Sequence, residues 1–74
     1  MDYSDKSITM KDGREYIVIE QVNLDGNTYL YIVNDKDDND TRYVEIKDNN
    51  ILKIDPKLFE EKVFPLFMEK MSNY

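Results

Sequence analysis

The sequence predicts an α+β fold: an antiparallel meander of four strands, with residues 51–54 as a candidate fifth, and one C-terminal helix kinked at Pro65. Three observations point there. Asp-Gly pairs at 12–13 and 25–26 separate runs rich in β-branched and aromatic residues, the pattern of tight hairpins. A polar stretch, residues 35–40, parts two further runs of that kind. An Asp-Pro pair at 55–56 then opens a segment whose apolar residues recur at helical spacing.

Each element has its own reason. Residues 1–6 are polar and acidic and are expected to form a loose tail ahead of a single domain, 7–74. Residues 7–11 read as a short strand, followed by the Asp12-Gly13 turn. Residues 14–24 (REYIVIEQVNL) make a longer strand, and Asp25-Gly26 reverses it into 27–34 (NTYLYIVN). Residues 35–40 carry four acids and one Lys and read as a loop. Residues 41–47 (TRYVEIK) form the fourth strand, and 48–50 turn into the short extended piece 51–54. Asp55 suits a helix N-cap and Pro56 the first helical position, where a missing N–H costs nothing. Ile54 and Phe59 have the spacing of a hydrophobic staple. The helix should reach about Met71, interrupted at Pro65, which has no N–H for the Glu61 carbonyl.

Two-residue turns set the expected register, and register sorts side chains between faces. Asp12-Gly13 as such a turn pairs Ile8 with Ile17 and Met10 with Glu15. Asp25-Gly26 pairs Leu24 with Asn27, Val22 with Tyr29, Glu20 with Tyr31, Ile19 with Ile32, and Val18 with Val33. One face then holds Ile8, Met10, Ile17, Ile19, Leu30 and Ile32, joined by Val44 and Ile46. This aliphatic face is expected to take the helix through Phe59, Val63 and Phe67. The other holds Tyr16, Val18, Glu20, Val22, Tyr29, Tyr31 and Val33, with Tyr43 from the fourth strand.

Composition excludes several function classes. Sixteen acidic against ten basic residues give a net charge of −6 over 74 residues, with no His and no Cys. The basic residues are scattered, so direct binding to nucleic acid or to an anionic membrane is disfavoured. No apolar run approaches the ~20 residues of a membrane-spanning helix. The absence of Cys and His removes disulfides, Cys/His zinc sites and the nucleophile–histidine arrangements of hydrolases. No secretion signal is read at the N-terminus, so Asn39-Asp40-Thr41 carries no weight as a glycosylation sequon. The expected setting is the cytoplasm.

Three features invite a functional reading. The tyrosine-bearing face lacks a second helix to cover it, so Tyr16, Tyr29, Tyr31 and Tyr43 are candidate partner contacts. Their plain reading is as ordinary strand residues. The loop acids Asp35, Asp37, Asp38 and Asp40 are a second candidate contact. Asp35, Asp37 and Asn39 match three positions of an EF-hand loop, but Asp40 stands where Gly is needed and Ile46 where Glu is needed. No metal site, cofactor or catalytic residue is assigned, because paired carboxylates need a cleft that so short a chain has little room to build. Phe64 and Met68, four apart, form a second apolar stripe on the helix. They serve either the core beyond the kink or a dimer or partner contact.

The order Ile8-Thr9-Met10, Asp12-Gly13-Arg14-Glu15-Tyr16, Asp25-Gly26-Asn27, Tyr29-Leu30, an acidic gap, then Tyr43-Val44-Glu45-Ile46 and an acid-rich final helix resembles the YrzB-like family. These are small acidic proteins of low-GC Gram-positive bacteria. The likeness spans about Ile8 to Phe67. It implies a β-meander plus helix and no known activity, and the tyrosine enrichment and Pro65 depart from it. The expected function is non-catalytic: an acidic module that binds a partner protein and regulates or inhibits it. The alternatives are a phage-type anti-defence inhibitor that mimics nucleic acid by its charge, and a self-associating protein or homodimer.

Overall fold

The structure, a computed structural model, describes Tyr3 and residues 6–72. Five antiparallel strands follow one another in a single sheet of order β1-β2-β3-β4-β5. They are β1 (Ser7–Thr9), β2 (Glu15–Leu24), β3 (Asn27–Asn34), β4 (Thr41–Lys47) and β5 (Asn50–Lys53). The helical segment runs from Pro56 to Met71 as α1 (Pro56–Leu58), a π-helical turn (Phe59–Val63) and α2 (Phe64–Met71). The candidate fifth strand is thus present and the α+β meander is as expected. The loose tail expected for residues 1–6 lies mostly outside the described residues. Of its two described members, Tyr3 donates its N–H to Gln21 Oε1 at 2.7 Å, and the Lys6 carbonyl accepts from Val18 N–H at 2.8 Å.

Two hairpins close with two residues in the left-handed region. Asp25 and Gly26 have φ of 52° and 83°, and Asp48 and Asn49 have 52° and 65°, the geometry whose twist matches the strands. Leu24 therefore faces Asn27, and Lys47 faces Asn50. The first hairpin corrects the expected register by one residue. Met10 N–H donates to the Arg14 carbonyl at 2.8 Å and Gly13 N–H to the Met10 carbonyl at 2.9 Å, so the loop is Lys11-Asp12-Gly13. The Asp12 carboxylate accepts from Arg14 N–H at 3.0 Å, an Asx turn, and Gly13 takes the left-handed position at φ 86°. Ile8 consequently pairs with Tyr16, and Ser7 with Ile17.

A second one-residue shift lies within β2. Val22, Gln21 and Glu20 face Tyr29, Leu30 and Tyr31 as the turn dictates, but Val18 then faces Ile32, leaving Ile19 as an extra residue. Such a bulge reverses the alternation beyond it and bends the strand. Tyr16 and Val18 turn to the side of Leu30 and Ile32, while Ile17 and Ile19 turn out, 42% and 45% exposed. The expected pairs Ile19–Ile32 and Val18–Val33, and the core positions given to Ile17 and Ile19, are corrected accordingly. The bulge and the longer first loop offset each other, so Ile8 and Met10 still reach the inner face.

Two cores result. The inner one holds Tyr16, Val18, Leu30, Ile32 and Val44, flanked by Ile8, Met10, Ile46 and Ile51. Among the described residues no helix covers this face; the sheet curls upon itself and all five strands contribute. The outer core lies between the sheet and the helix. It contains Val22, Tyr29, Val63 and Phe67, with Tyr31, Tyr43, Ile54, Phe59 and Met71 partly buried beside them. The helix thus packs on the tyrosine side of the meander, not on the aliphatic side. Aliphatic chains suit the tight interior of a curled sheet, whereas phenolic rings can bury their bodies under the helix and keep their hydroxyls at the margin.

The helix start matches its sequence signals: Asp55 Oδ1 accepts from Lys57 N–H at 3.3 Å, with Pro56 in the first turn. Pro65 does not split the helix. The wider turn before it has Phe64 N–H donating to the Phe59 carbonyl, five residues back. A π turn changes the carbonyl alignment just where Pro65 lacks a donor.

Candidate functional site

The predicted tyrosine surface is not an open docking face. Tyr16 and Tyr29 are buried. The Tyr16 hydroxyl donates to Asp40 Oδ2 at 2.6 Å, and the Arg42 guanidinium lies 5.1 Å from its ring centre. Tyr31 stacks on Tyr43 with ring centres 4.8 Å apart. Tyr43 in turn meets Phe59 at 4.8 Å and Phe67 at 5.1 Å. The chain's own helix packs over Tyr29 and, in part, over Tyr31 and Tyr43, while Tyr16 belongs to the inner core, so these rings serve packing and their contact role is corrected. Burial pushes the Tyr29 phenol above its ordinary pKa, and the nearby Glu45 carboxylate adds to this. Burial also raises that of Tyr43, with Tyr31 contributing.

The acidic loop divides. Asp35, Asp37 and Asp38 are exposed. Asp37 Oδ1 accepts from Asn39 N–H at 3.0 Å, which shapes the loop locally. Asp40 belongs to the scaffold: it accepts from Tyr16, from Asn34 Nδ2 at 3.2 Å and from Arg42 Nε at 3.4 Å. The Tyr16 hydroxyl bond is the main cause that holds its pKa below the ordinary carboxylate value, supported by Asn34 and Arg42 against an opposing desolvation. Phe64 and Met68 are 37% and 40% exposed, although the Phe64 ring still touches Phe59 and the edge of Tyr43.

The structure adds a site absent from the sequence reading. The sheet curls without closing: β1 and β5 are its two ends and do not pair. Between them runs a groove of about 890 Å3. Residues 9–12 line one side and residues 49–54 the other. The whole of β5 borders it on one side, whereas on the other only Thr9 belongs to β1 and residues 10–12 to the loop that follows. Met10, Val44 and Ile51 supply an apolar floor. Lys11, Arg42 and Lys53 stand on its walls with one acid, Asp12. Asp12 lies 3.6 Å from Arg14, and Arg42 lies 3.4 Å from Asp40. Among the described residues neither Lys11 nor Lys53 is in an ion pair. The sequence signal for this site was the shortness of the first and last strands, which leaves two exposed edges in any meander that does not close.

No family model, curated protein or solved structure matches the chain. Among the described residues no helix is long and apolar enough to cross a membrane.

Proposed function

We propose that this chain is a non-catalytic module that binds a partner protein and so regulates or inhibits it, acting in the cytoplasm. One observation carries the reading: a groove with an apolar floor opens between the free edge of β5 and the loop that follows β1. An edge offers a row of backbone donors and acceptors that a further chain satisfies by lying alongside. The apolar floor adds burial to those hydrogen bonds. Tyr29, Tyr31 and Tyr43 pack in the outer core and Tyr16 in the inner one, so the groove is the surface left with both main-chain and apolar binding capacity.

The test uses Leu52, which is exposed and lines the groove. Leu52→Glu should leave circular dichroism and melting temperature close to wild type, because the side chain supports little of the core. A partner captured on immobilised wild-type protein from the native host should then be lost on the variant. Equal retention by both proteins refutes docking in the groove.

A further inference from the structure

The docking groove proposed above, on which this inference rests, is bordered along one whole side by β5, and the register of β5 sets what each of its residues offers. β5 ends the sheet, so one of its edges has no strand beside it. Ile46 faces Ile51, Glu45 faces Leu52 and Val44 faces Lys53. Directly opposed residues share a face. Ile51 and Lys53 therefore belong to the inner side with Val44 and Ile46, and Leu52 to the outer side. All three line the groove, so a segment laid along this edge meets an apolar side chain on each face and one cation. β5 also stops level with Val44, which leaves Thr41, Arg42 and Tyr43 of β4 with no strand on that side. Arg42 pairs with the buried Ile32, so it shares the inner face and stands diagonal to Lys53.

The charge is unevenly placed. The chain as a whole carries −6, yet three of its ten basic residues and one of its sixteen acids line this groove. That acid, Asp12, is held by Arg14, and Arg42 by Asp40. Lys53 is exposed and, among the described residues, takes part in no ion pair. A carboxylate opposite Lys53 completes a cross-strand pair of opposite charge. The rest of the chain repels acidic groups at a distance, so a uniformly acidic segment is disfavoured and an apolar one with a placed acid is not. A second copy of this chain does not supply that acid at an edge: the end strands read SIT and NILK, and neither contains a carboxylate.

We infer that the free edge of β5 takes an extended segment of a partner protein in which two adjacent apolar residues, opposite Ile51 and Leu52, stand directly beside an Asp or Glu opposite Lys53. The segment's main chain satisfies the open backbone groups of the edge. Its apolar pair buries one side chain on each face, and its acid selects the partner. A further acid two positions beyond the first lies level with Arg42. The side of the apolar pair that carries the acid reports the direction of the segment: acid first for an antiparallel neighbour of β5, acid last for a parallel one.

The test selects binders from a displayed library of random twelve-residue segments against the intact chain. Enriched segments should share two neighbouring apolar residues with Asp or Glu next to them. Synthetic versions should slow hydrogen exchange at backbone amides of Asn50–Lys53. Lys53→Glu, at an exposed position, should retain the melting temperature and weaken these segments by roughly tenfold, and exchanging their acid for Lys should restore binding to that variant. Lys53→Gln should lose about threefold, which keeps the test open if the charge reversal disturbs the fold. Segments that protect β5 but carry no acid beside the apolar pair, or that bind Lys53→Glu as tightly as wild type, overturn this inference and leave the docking groove standing. So does polyglutamate binding as tightly as the enriched segments. Protection at residues 17–19 or 64–68 instead overturns both. A library with no enriched segment overturns the inference alone, and the Leu52→Glu capture then decides the groove by itself. Sedimentation showing a concentration-dependent dimer that Leu52→Glu abolishes assigns the edge to a second copy and overturns the partner segment.

Discussion

The Tyr16 hydroxyl and the Asp40 carboxylate meet at 2.6 Å, tying the start of β2 to the end of the acidic loop. Both residues have the look of surface recognition groups, and each instead satisfies the other. The bond lets a buried tyrosine keep its hydroxyl paired, which matters because an unpaired buried polar group costs stability. It also fixes the long β3–β4 connection, together with Asn34 N–H donating to the Asp40 carbonyl at 2.9 Å.

This pairing predicts acid behaviour. The folded-state pKa of Asp40 lies below the ordinary value. Its contribution is therefore fully present above the unfolded pKa of ~3.9 and is lost as pH falls through the lowered folded value. Tyr16→Phe should lower the urea midpoint at neutral pH and differ progressively less from wild type as the solution is taken below pH ~4. An undiminished difference at the lowest pH would mean that the hydroxyl acts through packing and not through the carboxylate.

Alkaline behaviour carries the opposite sign. Tyr29 and Tyr43 have raised folded-state pKa values, mainly through burial. The stability linked to their neutral phenols is complete below the unfolded pKa of ~10 and lost as pH rises through the folded values. Phenolate absorbance should show a late phase from Tyr29 and Tyr43, coinciding with loss of near-ultraviolet dichroism. A single phase near pH 10 with the fold intact would contradict the sealed outer core.

The bulge at Ile19 yields a sharp contrast between neighbours. Val18 is buried against Ile32, whereas Ile17 and Ile19 are exposed. Val18→Ala should cost about 2 kcal/mol through lost burial and a cavity. Ile17→Thr and Ile19→Thr should each stay within about 0.5 kcal/mol. Deleting Ile19 removes the extra residue and leaves Val18 beside Glu20 in unbroken alternation, so Tyr16 and Val18 keep their partners and the inner face, and this variant should still fold. Chemical denaturation of the four proteins decides it. A large loss for Ile19→Thr would restore the uninterrupted register.

The same bulge explains how much of the fold could be read from the chain alone. Strand positions, the Asp25-Gly26 turn and the Asp55 cap follow from local chemistry, in which a residue's own φ preference or side-chain oxygen decides the outcome. The bulge leaves no such mark, because EYIVIEQVNL reads as an unbroken run of strand formers. The first turn misleads for a related reason: Asp-Gly serves both a two-residue turn and the last two places of a three-residue loop. Which one forms depends on placing Tyr16 inside, a tertiary demand. The groove was harder still to foresee. It exists only because the curl brings β1 and β5 to one opening, and no residue in either strand signals that closeness by its type.

Glu20 and Lys70 provide the link between sheet and helix end. Glu20 is buried on the helix side of β2, and Lys70 Nζ lies 3.1 Å from its Oε1 while donating to the Gln21 carbonyl at 2.6 Å. The lysine is half exposed, so solvent screens the pair, and the Glu20 carboxylate also accepts from Gln21 N–H at 3.0 Å. Lys70→Met keeps the stem that covers apolar surface and removes only the ammonium. It should cost roughly 1–2 kcal/mol, less than a fully buried pair would lose. Glu20→Gln in the Lys70→Met background should recover part of that loss, because the buried group is then neutral. Urea unfolding of the single and double variants measures the coupling directly. Additive losses would show that Lys70 acts only through the Gln21 carbonyl.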